Sequence, residues 1–219
     1  MPKLFTLPPA PAAQPCSTAY AILGQAYGAC NSFHSIYTEL RKGAGPGSPT
    51  DAQQDTLRAM LVFACAGLDS AIKQLVRDAL QPVIDHNSGA AANFTESVKR
   101  RLPDIEKSRD LLASVLTAFN PRRALVERVT SDLIADSLQS FVQLSKVAAA
   151  FNVKTLDIAN PVHLKEAFQV RNQIIHEMDI NFQATRSRRQ RKQADMEHHT
   201  KVVLEATALF LERVDANLK

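Results

Sequence analysis

Glycine is scarce in this 219-residue chain: there are 7, and none follows Gly89. Tryptophan is absent and aromatics make up 6%. So little turn-forming and ring-bearing material is poor stock for the many short strands and tight turns of a β sandwich or barrel. It also means that a phosphate bound in the C-terminal half must be held by side chains, because no glycine-rich loop exists there to cradle it. The three cysteines, Cys16, Cys30 and Cys65, are odd in number, far apart and without a C-x-x-C pair. That spacing suggests neither a disulfide framework nor a zinc site. They read as reduced thiols of a cytoplasmic protein, with Cys30 and Cys65 packed as small hydrophobes. The longest fully apolar stretch is 59–68, well short of the roughly 20 residues a membrane span needs, so no membrane segment is expected.

The opening 15 residues lack a cationic start followed by an unbroken apolar core, so no secretory leader is expected there. Their prolines read as a disordered lead-in over 1–16, ahead of a single domain over 17–219. Twenty-six Lys and Arg against 22 Asp and Glu leave a net charge of +4. That permits an anionic partner without requiring one. With 45% hydrophobic residues the chain can bury one sizeable core.

What is plentiful is helical periodicity. Tyr20, Leu23, Tyr27, Cys30, Phe33, Tyr37 and Leu40 fall at the three-and-four spacing of one helical face, predicting a helix from Ser17 to about Arg41. The Gly/Pro cluster at 43–50 ends it. Thr50 with Gln53 has the spacing of a capping box opening a second helix, apolar on all sides at 59–68 and ending near Pro82. A loop is expected at 85–93, then helices at 94–102 and 104–119 divided at Leu102-Pro103. Asn120-Pro121 and Asn160-Pro161 each place a capping side chain before a proline at the first helical position. They open helices running to about Phe151, with a break near Thr130, and to about Met178. A last amphipathic helix covers 194–217. The architecture expected is all-α, a bundle of four long helices with additional short ones.

The helix opened at Pro161 carries an anomaly. Its apolar stripe runs through Leu164, Ala167, Phe168, Ile174, Ile175 and Met178, and Arg171 stands within that stripe. Arginine stays charged, so a buried one needs an acid or a bound anion; Asp69 in the second helix is the acid a purely structural reading would assign to it. Asn172 and His176 share one edge of the helix, four residues apart. Arg171 and His176, five residues apart, are splayed by roughly 140°. The two converge on one ligand most simply if the helix meets its own copy across a two-fold axis.

The segment 170–178, VRNQIIHEM, with Arg171 followed directly by Asn172 and then by His176 after four intervening residues, resembles the R-x4-6-H signature of the HEPN superfamily. The resemblance implies a HEPN-like helical bundle over 17–219 and a ribonuclease that needs no metal or cofactor. It also implies a homodimer in which the two motifs face each other. Domains of this kind serve as toxins of toxin–antitoxin modules or as effectors of anti-phage defence, so an antitoxin or defence-system protein is an implied partner. The residues fit that chemistry: the 2′-hydroxyl of RNA attacks the adjacent phosphate, a proton must move on and off oxygen, and charge develops on the phosphoryl group. His176, Arg171 and Asn172 are respectively a proton carrier, a bidentate phosphate ligand and an orienting amide. The alternative is a non-catalytic module of the same family that binds nucleotide, nucleic acid or a partner protein.

Past the motif, Arg186, Arg188, Arg189, Arg191 and Lys192 stand with no acid between Gln183 and Ala194. They are expected to form a flexible basic loop that clamps the RNA backbone. Phe182 is the one aromatic nearby, so little base stacking is expected from that segment. Glu177 and Asp179 read as exposed acids at a helix end. His198 and His199, adjacent on a helix, point about 100° apart and do not share an ion.

Overall fold

The computed structural model of the chain describes residues 3–42, 47–107, 109–183 and 186–219. The fold is all-α. Helices α1 (Ser17–Lys42) and α2 (Asp51–His86) form an antiparallel pair. The expected capping box opens α2: Thr50 N–H donates to Gln53 Oε1 at 2.9 Å and Gln53 N–H to Thr50 Oγ1 at 3.4 Å. The same glutamine donates to the Leu40 carbonyl at 2.8 Å and so ties the start of α2 to the end of α1. Midway the helices touch so closely that a Cβ added at Gly67 would lie 2.3 Å from the Ala26 Cβ. Only a residue without a side chain permits that approach.

α2 is the central rod. Leu57, Leu61, Leu68, Ile72, Leu75 and Leu80 are fully enclosed along it, packed by α1, by α8 (Gln193–Ala216) and, toward its C-terminal end, by α3 (Ser88–Lys107) and α5 (Pro121–Ala135). By length and composition α2 could cross a membrane, with a mean hydropathy of 1.5 over its most apolar window. In this fold its apolar residues line the core. α7 (Pro161–His176) lies against α8 and α2, and α6 (Phe141–Ala150) bridges α7 to α3 and α5. Beyond α6, Phe151 meets Phe210 of α8 edge to face, centroids 5.8 Å apart, and closes the core.

Four expectations are corrected. Pro82 does not end α2, which runs one more turn to His86; a single proline removes one hydrogen bond, and enclosed neighbours such as Val83 and Ile84 hold the turn. The loop expected at 85–93 shrinks to Asn87, whose side chain accepts from Ala90 N–H at 3.0 Å and caps α3 at once. Pro103 lies inside α3, and the next helix, α4 (Arg109–Leu116), begins beyond Lys107. The break expected near Thr130 falls at 136–140, where Asp69 of α2 accepts Leu138 N–H at 2.7 Å.

The largest correction concerns the N-terminus. Residues expected to be disordered lie as an extended strap across α1 and α8; Met1 and Pro2 lie outside the described residues. Phe5 is buried, and its backbone N–H and carbonyl both bond to the Asn31 side chain, at 3.0 and 2.9 Å. Tyr20 donates to the Pro8 carbonyl at 2.7 Å and Ala13 N–H to Asp215 at 2.6 Å. Prolines pre-set this backbone, so ordering it costs less entropy than its composition implies.

Candidate functional site

α7 begins as expected, with Asn160 accepting Val162 N–H at 2.9 Å ahead of Pro161. Leu164, Ala167 and Phe168 are enclosed against α8, α6 and α2. Arg171 continues that row and is half-buried. Beyond it the row leaves the core: Ile175 is 41% and Met178 67% exposed. Of the stripe beyond Arg171, Ile174 still packs against the core, while Ile175 and Met178 face outward.

Among the described residues Arg171 has no acidic partner. Its Nη1 donates to Asn172 Oδ1 at 3.0 Å, and its Nε is buried with no hydrogen-bond partner. Asp69, the acid a structural reading assigns to it, holds Lys73 at 3.1 Å and the Leu138 amide instead. The nearest consequence of the guanidinium charge is felt at Cys65, enclosed in α2, where it opposes the burial that pushes the thiol up to about 12. A cation half-withdrawn from water with an unsatisfied N–H is short of one anion. Asn172 and His176 are both exposed, on the edge of α7 next to Arg171.

The helix stops at His176, two residues earlier than expected, because Met178 and Asp179 turn left-handed at φ 52° and 58°. That turn sends Asp179 inward. It is fully enclosed, which corrects its reading as an exposed acid. Arg58 Nε of α2 donates to Asp179 Oδ2 at 2.8 Å, and Arg191 Nε to the same oxygen at 3.1 Å, while Arg191 Nη2 also reaches Gln173 of α7 at 2.8 Å. Arg58 further donates to Asp55 at 3.0 Å and to the Arg189 carbonyl at 2.8 Å. Gln54 pairs with the Arg191 backbone in both directions, at 2.9 and 2.8 Å.

These bonds fold 177–192 into a stapled loop carrying a short antiparallel bridge, Ile180 to Arg188. They also account for most of the expected RNA clamp. Arg188 forms a two-pronged pair with Asp55, whose carboxyl it holds below the usual range. Arg189 is 3.0 Å from Glu177, and Arg191 belongs to Asp179. Only Arg186 and Lys192 of the five are exposed without an acid partner among the described residues. Intramolecular carboxylates thus pair with three of the loop's five cations.

Arg58 went unnoticed in the sequence, and Asp179 was read only as an exposed acid, although a signal was present. Arg58 shares a helical row with Leu61, Cys65 and Leu68, an arginine in an apolar stripe as Arg171 is. His198 sits 5.2 Å from His163 and 5.9 Å from His199, centroid to centroid. Among the described residues no group of three His, Cys, Asp or Glu is placed to hold a metal.

No family model matches the chain, and no solved structure does. Centromere protein H of Gallus gallus is 32% identical over 119 residues, 52% of this chain and 46% of that protein. The chain thus spans about half the length of that relative.

Proposed function

We propose that this protein is a HEPN-like, metal-independent endoribonuclease of the cytoplasm, acting as a homodimer, with Arg171, Asn172 and His176 as its catalytic residues. The observation that carries the reading is the Arg171 guanidinium, steadied by Asn172 and without an acid partner or an acceptor for its Nε among the described residues. A phosphate oxygen fits the exposed Nη edge of the guanidinium, the side on which Asn172 is bonded. In the reaction, the RNA 2′-oxygen attacks phosphorus as its proton passes to a His176 imidazole. The bond to the 5′-oxygen then breaks as that oxygen takes a proton from a His176 imidazolium, leaving a 2′,3′-cyclic phosphate and a 5′-hydroxyl. Arg171 holds the phosphoryl oxygens on which charge develops. DNA lacks the nucleophile.

The homodimer follows from two features. Arg171 and His176 diverge around α7 and need a second copy to meet over one phosphate. The outward-facing Ile175 and Met178 beside them, with Phe182 at 61% exposure, supply apolar surface for that contact. A role as toxin or anti-phage effector, with an antitoxin or defence protein as partner, belongs to the same proposal.

The second reading, a non-catalytic module binding nucleotide, nucleic acid or a partner protein, has its own support. Three of five loop cations are consumed internally, and the partial likeness is to a protein named for the centromere. Incubating the protein with RNA and with DNA in EDTA, beside Arg171→Ala and His176→Ala, separates the two. Cutting of RNA alone, lost in both variants, is expected of the nuclease; a folded protein that cuts no RNA is the binding module.

A further inference from the structure

A groove of about 440 Å³ opens between the start of α6 and the exposed edge of α7, lined by Gln139, Ser140, Phe141, Lys165, Gln169 and Asn172 among others. Four residues of α7 stand in register along its edge. Lys165, Gln169, Asn172 and His176 lie at spacings of four, three and four, within about 40° of one line, and span about 16 Å. All four are exposed. The stripe begins with a cation, passes two amides and ends on the proposed proton carrier. On the facing wall, Lys165 Nζ rests over the Phe141 ring, 4.9 Å from its centroid. The lysine covers that ring face, and a flat base takes its place when Lys165 turns to a backbone phosphate. Gln139, bonded through its NH₂ to the Cys65 carbonyl at 3.2 Å, keeps its Oε1 buried without a donor. The one acid in the lining, Glu177, is paired with Arg189 at 3.0 Å.

We propose that this groove is the path by which single-stranded RNA reaches the motif, with Phe141 stacking one base, Lys165 contacting a backbone phosphate and the exposed Gln169 amide hydrogen-bonding a base edge. The proposal rests on the ribonuclease reading and relocates RNA binding from the loop at 186–192 to the α6–α7 groove. Three of that loop's cations brace the fold, while the groove offers what the loop lacks: an aromatic face and unspent amides beside Asn172. A strand lying in it runs straight from Lys165 to His176.

The test uses a fluorescein-labelled 12-nucleotide single-stranded RNA of mixed sequence and the full chain carrying His176→Ala, so that binding is read without cutting. Lys165→Glu and Phe141→Ala, each added to that background, are expected to weaken binding about tenfold by anisotropy, and Lys165→Glu to lower the salt slope by about one. Lys201→Glu, an exposed charge reversal on α8, is expected to leave binding within twofold. Because Phe141 is partly packed, Val142→Arg, on the 64% exposed rim residue, gives a reading that does not depend on the core: it is expected to tighten binding. Unchanged affinity in Lys165→Glu and Val142→Arg, or an equal loss in Lys201→Glu, overturns the groove. Should the wild-type chain cut no RNA and yet bind it in this Lys165-dependent way, the groove stands and the ribonuclease reading falls. Should it cut RNA with a KM that neither groove variant moves, the reverse holds.

Discussion

Arg58 Nε donates to Asp179 Oδ2 at 2.8 Å, joining the first third of α2 to the turn just past His176. Both side chains are withdrawn from water, Arg58 at 4% exposure and Asp179 at 0%. Through Asp179 the pair also holds Arg191, and through Arg191 it holds Gln173 of α7. The end of the helix that presents His176 is thereby fixed from three sides. The charges are too deep to be left single.

Asp179→Asn keeps the shape and tolerates the left-handed backbone, yet removes the charge that the buried Arg58 and the partly buried Arg191 face. The expected loss is about 3 to 5 kcal/mol, which for a chain of this size lowers the midpoint of thermal unfolding by roughly 10 °C. Circular dichroism on the variant and the parent decides it; a shift of under about 2 °C contradicts the staple.

Arg171 predicts the opposite sign. It has no acid to lose and carries a buried N–H without an acceptor, so Arg171→Met is expected to leave stability unchanged or raise it by about 1 kcal/mol while removing phosphate binding. A structural arginine behaves otherwise: its removal destabilises. Urea unfolding of the variant compares the two, and a loss above about 1 kcal/mol rules out the unpaired cation described above.

A pH dependence follows from His199. Burial, helped by the neighbouring His198 and opposed by Asp195, lowers its proton affinity in the folded chain. Below the ordinary imidazole value of about 6.5, the unfolded chain therefore takes up a proton that the folded chain resists, and stability falls as pH falls from 7 toward 5. Below about 4 the carboxylates of Asp55 and Asp215, both lowered in the fold, add to the loss. His199→Gln is expected to flatten the decline between pH 7 and 5; an identical slope in the variant contradicts the assignment.

The helices were legible where the signal is local. Thr50 and Gln53, Asn120-Pro121 and Asn160-Pro161 act within one turn of chain, and the structure uses each as the sequence implies. Prolines misled in both directions. Pro82 sits inside a helix because enclosed neighbours hold its turn, Pro103 also lies within one, and the N-terminal prolines shape a docked strap rather than a loose tail. The site was legible as an anomaly at Arg171 but not as a network. Arg188, Arg189 and Arg191 are separated in sequence from most of the acids that neutralise them, Asp55 by more than a hundred residues, so a basic run looked free when it was not. Nor does periodicity tell whether a stripe such as Ile174 to Met178 meets the chain's own core or faces outward.

The central claim is that Arg171 of one subunit and His176 of its partner act on one phosphate, and subunit mixing tests it most directly. Arg171→Ala and His176→Ala, each inactive alone, are unfolded together, refolded as a mixture and assayed on RNA in EDTA. A composite site predicts recovery to about a quarter of wild-type activity, because half the dimers are mixed and each regains one intact site. A mixture as inactive as either variant contradicts it.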